Sequence, residues 1–367
     1  MARKLASDRV LFVAVVLLVS MGLLMIYSAS AMQIYLPSAG APSFPYLFLV
    51  KQAIAVVLGA GLAFGTLLVD HRRLNSPALV GAGLVLVVLS LVAVLFFAPI
   101  NGTRRWIDLG VLSIQPSEFA KIGLVVALAA LLSRREGEIE HPTRTLLPVA
   151  GLLVLLSGLV LLQPDFGTAM TYFTIAAAML FFAGLRLRWF LGTALLMIPT
   201  LSAYILSASY RRDRILAFLH PDADPLGKGF QSLQSLIAVG TGGLTGLGLG
   251  EGKQKLFFLP YPYTDFIFAI VGEELGLAGC AFVLALFGLV FARGIRAAVG
   301  APDSFGRLLG VGLSVMIVVQ ALVNVSVVVA LLPTKGIPLP FLSYGGSALW
   351  TNLAAVGILL NLSQHSP

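Results

Sequence analysis

The chain of 367 residues is 58% hydrophobic and only 11% charged, with a mean hydropathy of +0.97, a composition that excludes a soluble domain of this length. Its formal charge of +8 comes from basic pairs set between apolar runs rather than from a stripe, so membrane orientation and anionic headgroups account for it and nucleic acid does not. The single cysteine, Cys280, sits inside an apolar run, which excludes a disulfide framework, and no cluster of His and Cys has zinc spacing.

Runs of about 20 apolar residues recur along the chain, the length needed to cross a hydrocarbon core. Hydropathy places about ten transmembrane helices, over 10–29, 48–68, 78–97, 116–132, 146–162, 168–185, 189–207, 265–292, 308–331 and 341–360. The fold class is therefore an all-α polytopic membrane protein in one domain, 1–367. The first run follows Arg3, Lys4 and Arg9 but has no convincing small-residue cleavage site, so it is expected to be a retained span. Most basic pairs, Arg72 with Arg73 and Arg186 with Arg188 among them, fall on the side of the termini, which predicts that both ends are cytoplasmic.

The exceptions are informative. Arg104 and Arg105, Lys335, and the group Arg211, Arg212 and Arg214 fall on the opposite, extracytoplasmic side, against the orientation signal. Anion binding is one reason for them to be there; contact with lipid phosphates is the other. A long extracytoplasmic connection between spans seven and eight runs from Ala208 to Tyr263. Its second half, 230–252, is apolar and dense in glycine, and is expected to form a re-entrant or interfacial loop rather than a regular helix.

Asp265 stands at the mouth of the eighth span. Pro260 and Pro262 hold the approach extended, after which Thr264 or Asp265 can cap the helix. An ionisable group at the end of a buried span reads either as functional or as that cap. Four other stretches face the same side. In the first, Arg104, Arg105 and Trp106 precede Pro116, Glu118 and Lys121; the last two, three residues apart, can neutralise each other or line a polar cavity. The second is Gln163-Pro-Asp165, where Asp165 suits a helix cap. The third carries Arg211. The fourth, from Leu332 to Ser347, holds Lys335, Ser343, Tyr344 and Ser347; its hydroxyls can bond a ligand, and its small residues can equally serve close helix packing.

A carboxylate among cations beside apolar walls suits a lipid-linked anion, with the cations holding a pyrophosphate leaving group and the carboxylate acting as general base. No Walker loop, serine nucleophile elbow or HExxH motif is present.

Arg105-Trp-Ile-Asp-Leu-Gly110, Gln115-Pro-Ser-Glu118, Gln163-Pro-Asp165, Thr264-Asp-Phe-Ile-Phe-Ala269 with Gly272-Glu-Glu274, and Pro338 through Ser347 together resemble the SEDS family (shape, elongation, division and sporulation). Gln254-Lys-Leu-Phe257 and Leu332-Pro-Thr-Lys-Gly336 are more similar to its division-type than to its elongation-type members. The resemblance implies a peptidoglycan glycosyltransferase that polymerises lipid II on the outer face of the bacterial cytoplasmic membrane, at the division septum. Asp265 matches the family's essential aspartate and would be the inverting general base, with undecaprenyl pyrophosphate released. Arg104, Arg105, Trp106, Glu118, Lys121, Gln163, Asp165, Arg211, Lys335, Ser343, Tyr344 and Ser347 are the candidate substrate-binding residues, with a divalent cation, Mg or Mn, as a candidate cofactor. Implied partners are a class B penicillin-binding transpeptidase and other divisome membrane proteins. Where relatives carry a Glu and a His before Thr-Asp-Phe, this chain has Tyr261 and Tyr263, and no role is carried over to them. A lipid II flippase and a non-catalytic scaffold are the competing functions; crowding of the candidates at one face speaks against alternating access.

Overall fold

The computed structural model describes residues 7–30, 46–100, 102–108, 110, 113–207, 212, 216, 218, 229–256, 258–260, 262–334 and 336–365. Among them run eleven α-helices: α1 (Arg9–Ser30), α2 (Leu47–Leu68), α3 (Pro77–Ala93), α4 (Pro116–Ser133), α5 (Leu147–Leu162), α6 (Phe166–Phe182), α7 (Leu187–Leu206), α8 (Phe230–Thr241), α9 (Ile267–Val299), α10 (Ser304–Val328) and α11 (Gly346–His365). The only strands among the described residues are the two-residue pair β1 (Ile107–Asp108) and β2 (Ser113–Ile114), antiparallel within the α3–α4 connection.

Eight helical segments among the described residues are long and apolar enough to cross a membrane, which makes this a multi-pass membrane protein. They coincide with eight of the ten predicted spans. The sixth predicted span is the 17-residue α6, shorter than the usual span, and the seventh is α7. Their burial sorts the helices. Of the apolar window, 83% is buried in α11 and 67% in each of α4 and α10, but only 17% in α2 and 11% in α3, so the first three form the centre and the last two present apolar surface outward.

The last predicted span begins too early. Phe341 and Leu342 belong to an irregular segment, with Phe341 at φ 66°, and α11 opens only at Gly346. A residue in the left-handed region does not continue a helix, which is why an apolar run was not sufficient here.

Expectation and structure also part company over 230–252. Its first half is α8, a regular helix; only the glycine run after Thr241 is irregular, with positive φ at Gly243, Gly246, Gly248 and Gly250. The reason lies in α9, which breaks at Gly276 (φ 65°, ψ −164°). The break frees backbone groups that the glycine run satisfies: Leu247 and Gly248 donate to the carbonyls of Glu273 and Glu274, while Leu277 and Ala278 donate to those of Gly243 and Leu244, at 2.9–3.1 Å. A Cβ on Gly246 would lie 2.1 Å from the Glu274 carbonyl oxygen, so only glycine permits this approach.

Side chains clamp the same junction. Glu274 accepts from Ser28 Oγ, from the Gly250 amide and from Lys255 Nζ at 2.7 Å, and Glu273 accepts from the amides of Lys253 and Gln254. Lys255 and Glu274 are 3% and 0% exposed, so the pair is internal and fully partnered. It fastens the glycine run to α1 and to the first half of α9, and so fixes the turn that carries Asp265.

Candidate active site

Asp265 does not cap α9. The N-cap position is Phe266, which makes no side-chain capping bond, and Asp265 lies in the turn ahead of the helix, with neither Thr264 nor Asp265 in the cap position. Its carboxylate is half-buried and forms no hydrogen bond among the described residues, and a Cβ on Gly336 would stand 3.1 Å from its Oδ2. Burial pushes its carboxyl up to about 6, against the pull of the Arg105 guanidinium and with an added push from Asp165. The capping explanation therefore falls away, and an acid remains free in this turn to accept a proton near neutral pH.

Arg105, in the α3–α4 connection, is the cation whose charge acts on this carboxylate among the described residues. Its Nε donates to the Gln163 carbonyl at 2.9 Å, its Nη2 donates to the Pro164 carbonyl, and its Nη1 stands 3.9 Å from Asp165 Oδ1. The α5–α6 turn thus holds the guanidinium in a fixed orientation. Asp165 itself is the cap that its sequence position suggested: it accepts from the Thr168 amide at 3.2 Å and from the Thr168 hydroxyl at 2.8 Å, opening α6. Gln163 is fully buried; its Nε2 donates to the Leu91 carbonyl, while its Oε1 has no partner. Arg104 donates to the Leu95 carbonyl, just beyond the end of α3, and Trp106 is half-buried.

Glu118 and Lys121 pair with each other, 2.8 Å apart and each 3% exposed. Lys121 Nζ also donates to Gln320 Oε1 at 2.6 Å, which binds the pair into the bundle centre. Ser343 donates to the Thr264 carbonyl at 2.5 Å and accepts from the Leu339 amide; Ser347 donates to the Ser113 carbonyl and accepts from the Gln115 amide. The Ser343 hydroxyl braces the segment before α11, and the Ser347 hydroxyl ties the start of α11 to the α3–α4 connection. Tyr344 packs edge-on against Phe48 and Tyr263, and its amide donates to the Tyr263 carbonyl. Arg211 and Lys335 lie outside the described residues.

Sequence reasoning passed over two amides on α10. Gln320 and Asn324, four residues apart and 0% and 1% exposed, face the segment after α10 and the Asp265 turn. Polar amides one turn apart within an apolar run were the available signal. Lys255 and Glu274 each fall within a motif, and their pairing across 19 residues leaves no signal in the sequence.

No group of three or more His, Cys, Asp or Glu converges among the described residues, and Asp165 is spent on its cap. A divalent cation at this site would therefore be held chiefly by substrate phosphates, with at most one or two carboxylates from the chain.

A family model described as a cell cycle protein, covering FtsW, RodA and SpoVE, matches residues 8–367. The chain belongs to this family. A probable peptidoglycan glycosyltransferase FtsW of Trichlorobacter lovleyi is 42% identical over 361 residues, covering 97% of this chain and 93% of the relative. The stage V sporulation protein E of Bacillus subtilis is 41% identical over 369 residues and covers 99% of both. Among solved structures, a chain of a peptidoglycan synthase complex that coordinates polymerization and crosslinking superposes with a TM-score of 0.80 at 34% identity over 98% of each chain. The rod shape determining protein RodA of Thermus thermophilus superposes with a TM-score of 0.71 at 31% identity, over 98% of this chain and 97% of that one. The SEDS fold expected from the motifs is thus the fold observed.

Proposed function

We propose that this FtsW/RodA/SpoVE-family chain is a peptidoglycan glycosyltransferase of the FtsW type, polymerising lipid II at the outer face of the cytoplasmic membrane during septal wall synthesis. One observation carries the reading: the Asp265 carboxylate is half-buried, free of any capping role and under the influence of a guanidinium held by the adjoining turn. The names of the relatives support the reaction class.

Asp265 takes the proton from the 4-hydroxyl of the acceptor sugar as that oxygen bonds to the anomeric carbon of the donor. The bond from that carbon to the pyrophosphate oxygen breaks, and undecaprenyl pyrophosphate departs with the electron pair, inverting the centre. Arg105, fixed by two carbonyls, is the best-placed described cation to offset the charge that develops on the leaving group. Both termini are cytoplasmic in this reading, and a class B transpeptidase of the FtsI type, with other divisome membrane proteins, is the expected partner.

The test is polymerisation of labelled lipid II by the purified chain in proteoliposomes, with and without that transpeptidase, for wild type and Asp265→Asn. Loss of a proton acceptor lowers the rate by roughly 100-fold or more. Equal polymer from both proteins removes Asp265 from the chemistry, and translocation of a fluorescent lipid that depends on Asp265 favours a flippase instead.

A further inference from the structure

Asn324 lies near the C-terminal end of α10, 1% exposed, and its side chain joins two segments that are far apart in sequence. The Nδ2 donates to the main-chain carbonyl of Asp265 and to that of Ile337, each at 2.8 Å. Turning the amide over would set Oδ1 against two carbonyl oxygens, so the donor orientation is fixed by its partners. One turn earlier, Gln320 donates from Nε2 to the Pro338 carbonyl at 3.0 Å and accepts from Lys121 at Oε1. The two amides hold Ile337 and Pro338 beside the Asp265 turn, and a Cβ on the preceding Gly336 would crowd the Asp265 carboxylate. Asn324 Oδ1 is buried without a hydrogen-bond partner, so the side chain retains a polar group that burial penalises. A carboxamide kept under that penalty needs the two bonds its nitrogen makes.

We propose that Asn324 is a positioning residue for the reaction: by holding the Asp265 carbonyl to that of Ile337 it sets the turn in which the Asp265 carboxylate faces its substrate. This rests on Asp265 being the general base. Leucine or alanine at 324 leaves both carbonyls without this donor, and the turn that carries Asp265 gains freedom and water. Among the described residues the charged groups acting on Asp265 are Arg105, from the α3–α4 connection, and Asp165, ahead of α6, and neither is bonded to Asn324. Burial is the largest influence raising Asp265, so a loosened, wetter turn lets its pKa fall.

The experiment measures kcat, KM for lipid II and the pH–rate profile of Asn324→Ala, Asn324→Ser and Asp265→Asn in proteoliposomes, each first checked for monodispersity. Asn324→Ala is expected to lower kcat by about tenfold with KM changed less than about twofold, and to move the acid limb of the profile to lower pH. Asn324→Ser, which keeps a smaller donor, recovers part of the rate and serves alone where the alanine variant is not monodisperse. A fall in rate with an unmoved acid limb reports only a less stable protein and overturns the proposal, as does a wild-type kcat in whichever variant is tested. An active Asp265→Asn overturns the base on which the inference rests, whereas an inactive Asp265→Asn beside a wild-type-like Asn324→Ala overturns the role of Asn324 alone.

Discussion

Burial and Arg105 act in opposite directions on the Asp265 carboxyl. The guanidinium opposes the upward push of burial on the carboxyl, so its removal leaves that push unchecked and the pKa rises above about 6. The active base is the ionised form, present above the pKa and lost as pH falls through it. Wild-type polymerisation is therefore expected to decline below about pH 6, and Arg105→Ala to shift that acid limb to higher pH while slowing the reaction. A pH–rate series on both proteins checks this, and an unmoved limb in Arg105→Ala removes the coupling. The direction is opposite to that expected for Asn324→Ala, so two substitutions near one carboxylate are told apart by sign.

At the scale of elements, the decisive feature is the break in α9 at Gly276 and the glycine run that heals it. A helix broken inside an apolar bundle survives only when its freed amides and carbonyls find partners, and four hydrogen bonds from 243–248 supply them. The buried Lys255–Glu274 pair locks that arrangement to α1 through Ser28. Lys255→Met strips Glu274 of its counter-charge and is expected to cost about 3–5 kcal/mol, seen as a lowered unfolding temperature in detergent, whereas Lys255→Met combined with Glu274→Leu costs clearly less. Equal losses in the single and double variants contradict the assignment of that cluster as an ion pair. Because Glu274 lies nine residues beyond Asp265 in the chain, on the first half of α9, activity is expected to fail in Lys255→Met before the protein unfolds.

For the molecule as a whole, the end away from Asp265 is closed by a different set of contacts. Asp8 caps α1 through the amides of Val10 and Leu11, pairs with Arg293 of α9 at 2.6 Å, and donates from its own amide to Ser363 Oγ, so the start of α1, α9 and α11 meet there. His71, fully buried, bridges Asn361 and Asp303 nearby. Burial works to raise the Asp8 carboxyl, but the bond from Arg293 and the two amides outweigh it and hold the carboxyl below its ordinary 3.8. A depressed carboxylate adds stability that is present above that value and disappears as pH falls through the folded pKa. Asp8→Asn keeps the cap and removes the pair, so it is expected to cost about 1 kcal/mol or less at neutral pH and to show less acid loss below about pH 4 than wild type. Unfolding temperatures of the two proteins across acid pH measure it; identical acid dependence excludes Asp8 as a contributor.

Apolar runs of span length are read directly from composition because a bilayer demands satisfied backbone and an apolar exterior at every crossing, so the helical spans and the all-α class follow from the order of residues alone. Asp165 was legible as a cap and Glu118 with Lys121 as a pair for a similar reason: each acts on neighbours three residues away. What tertiary structure alone decided lies between segments. Whether Asp265 caps its helix depended on where α9 begins, whether the glycine run of 230–252 coils depended on a break at Gly276, 46 residues beyond the start of α8, and the Asn324 bridge joins residues 59 and 13 positions apart. Hydrogen bonds over such separations leave no periodic mark in a sequence, since either partner is an ordinary residue until the bundle brings the two together.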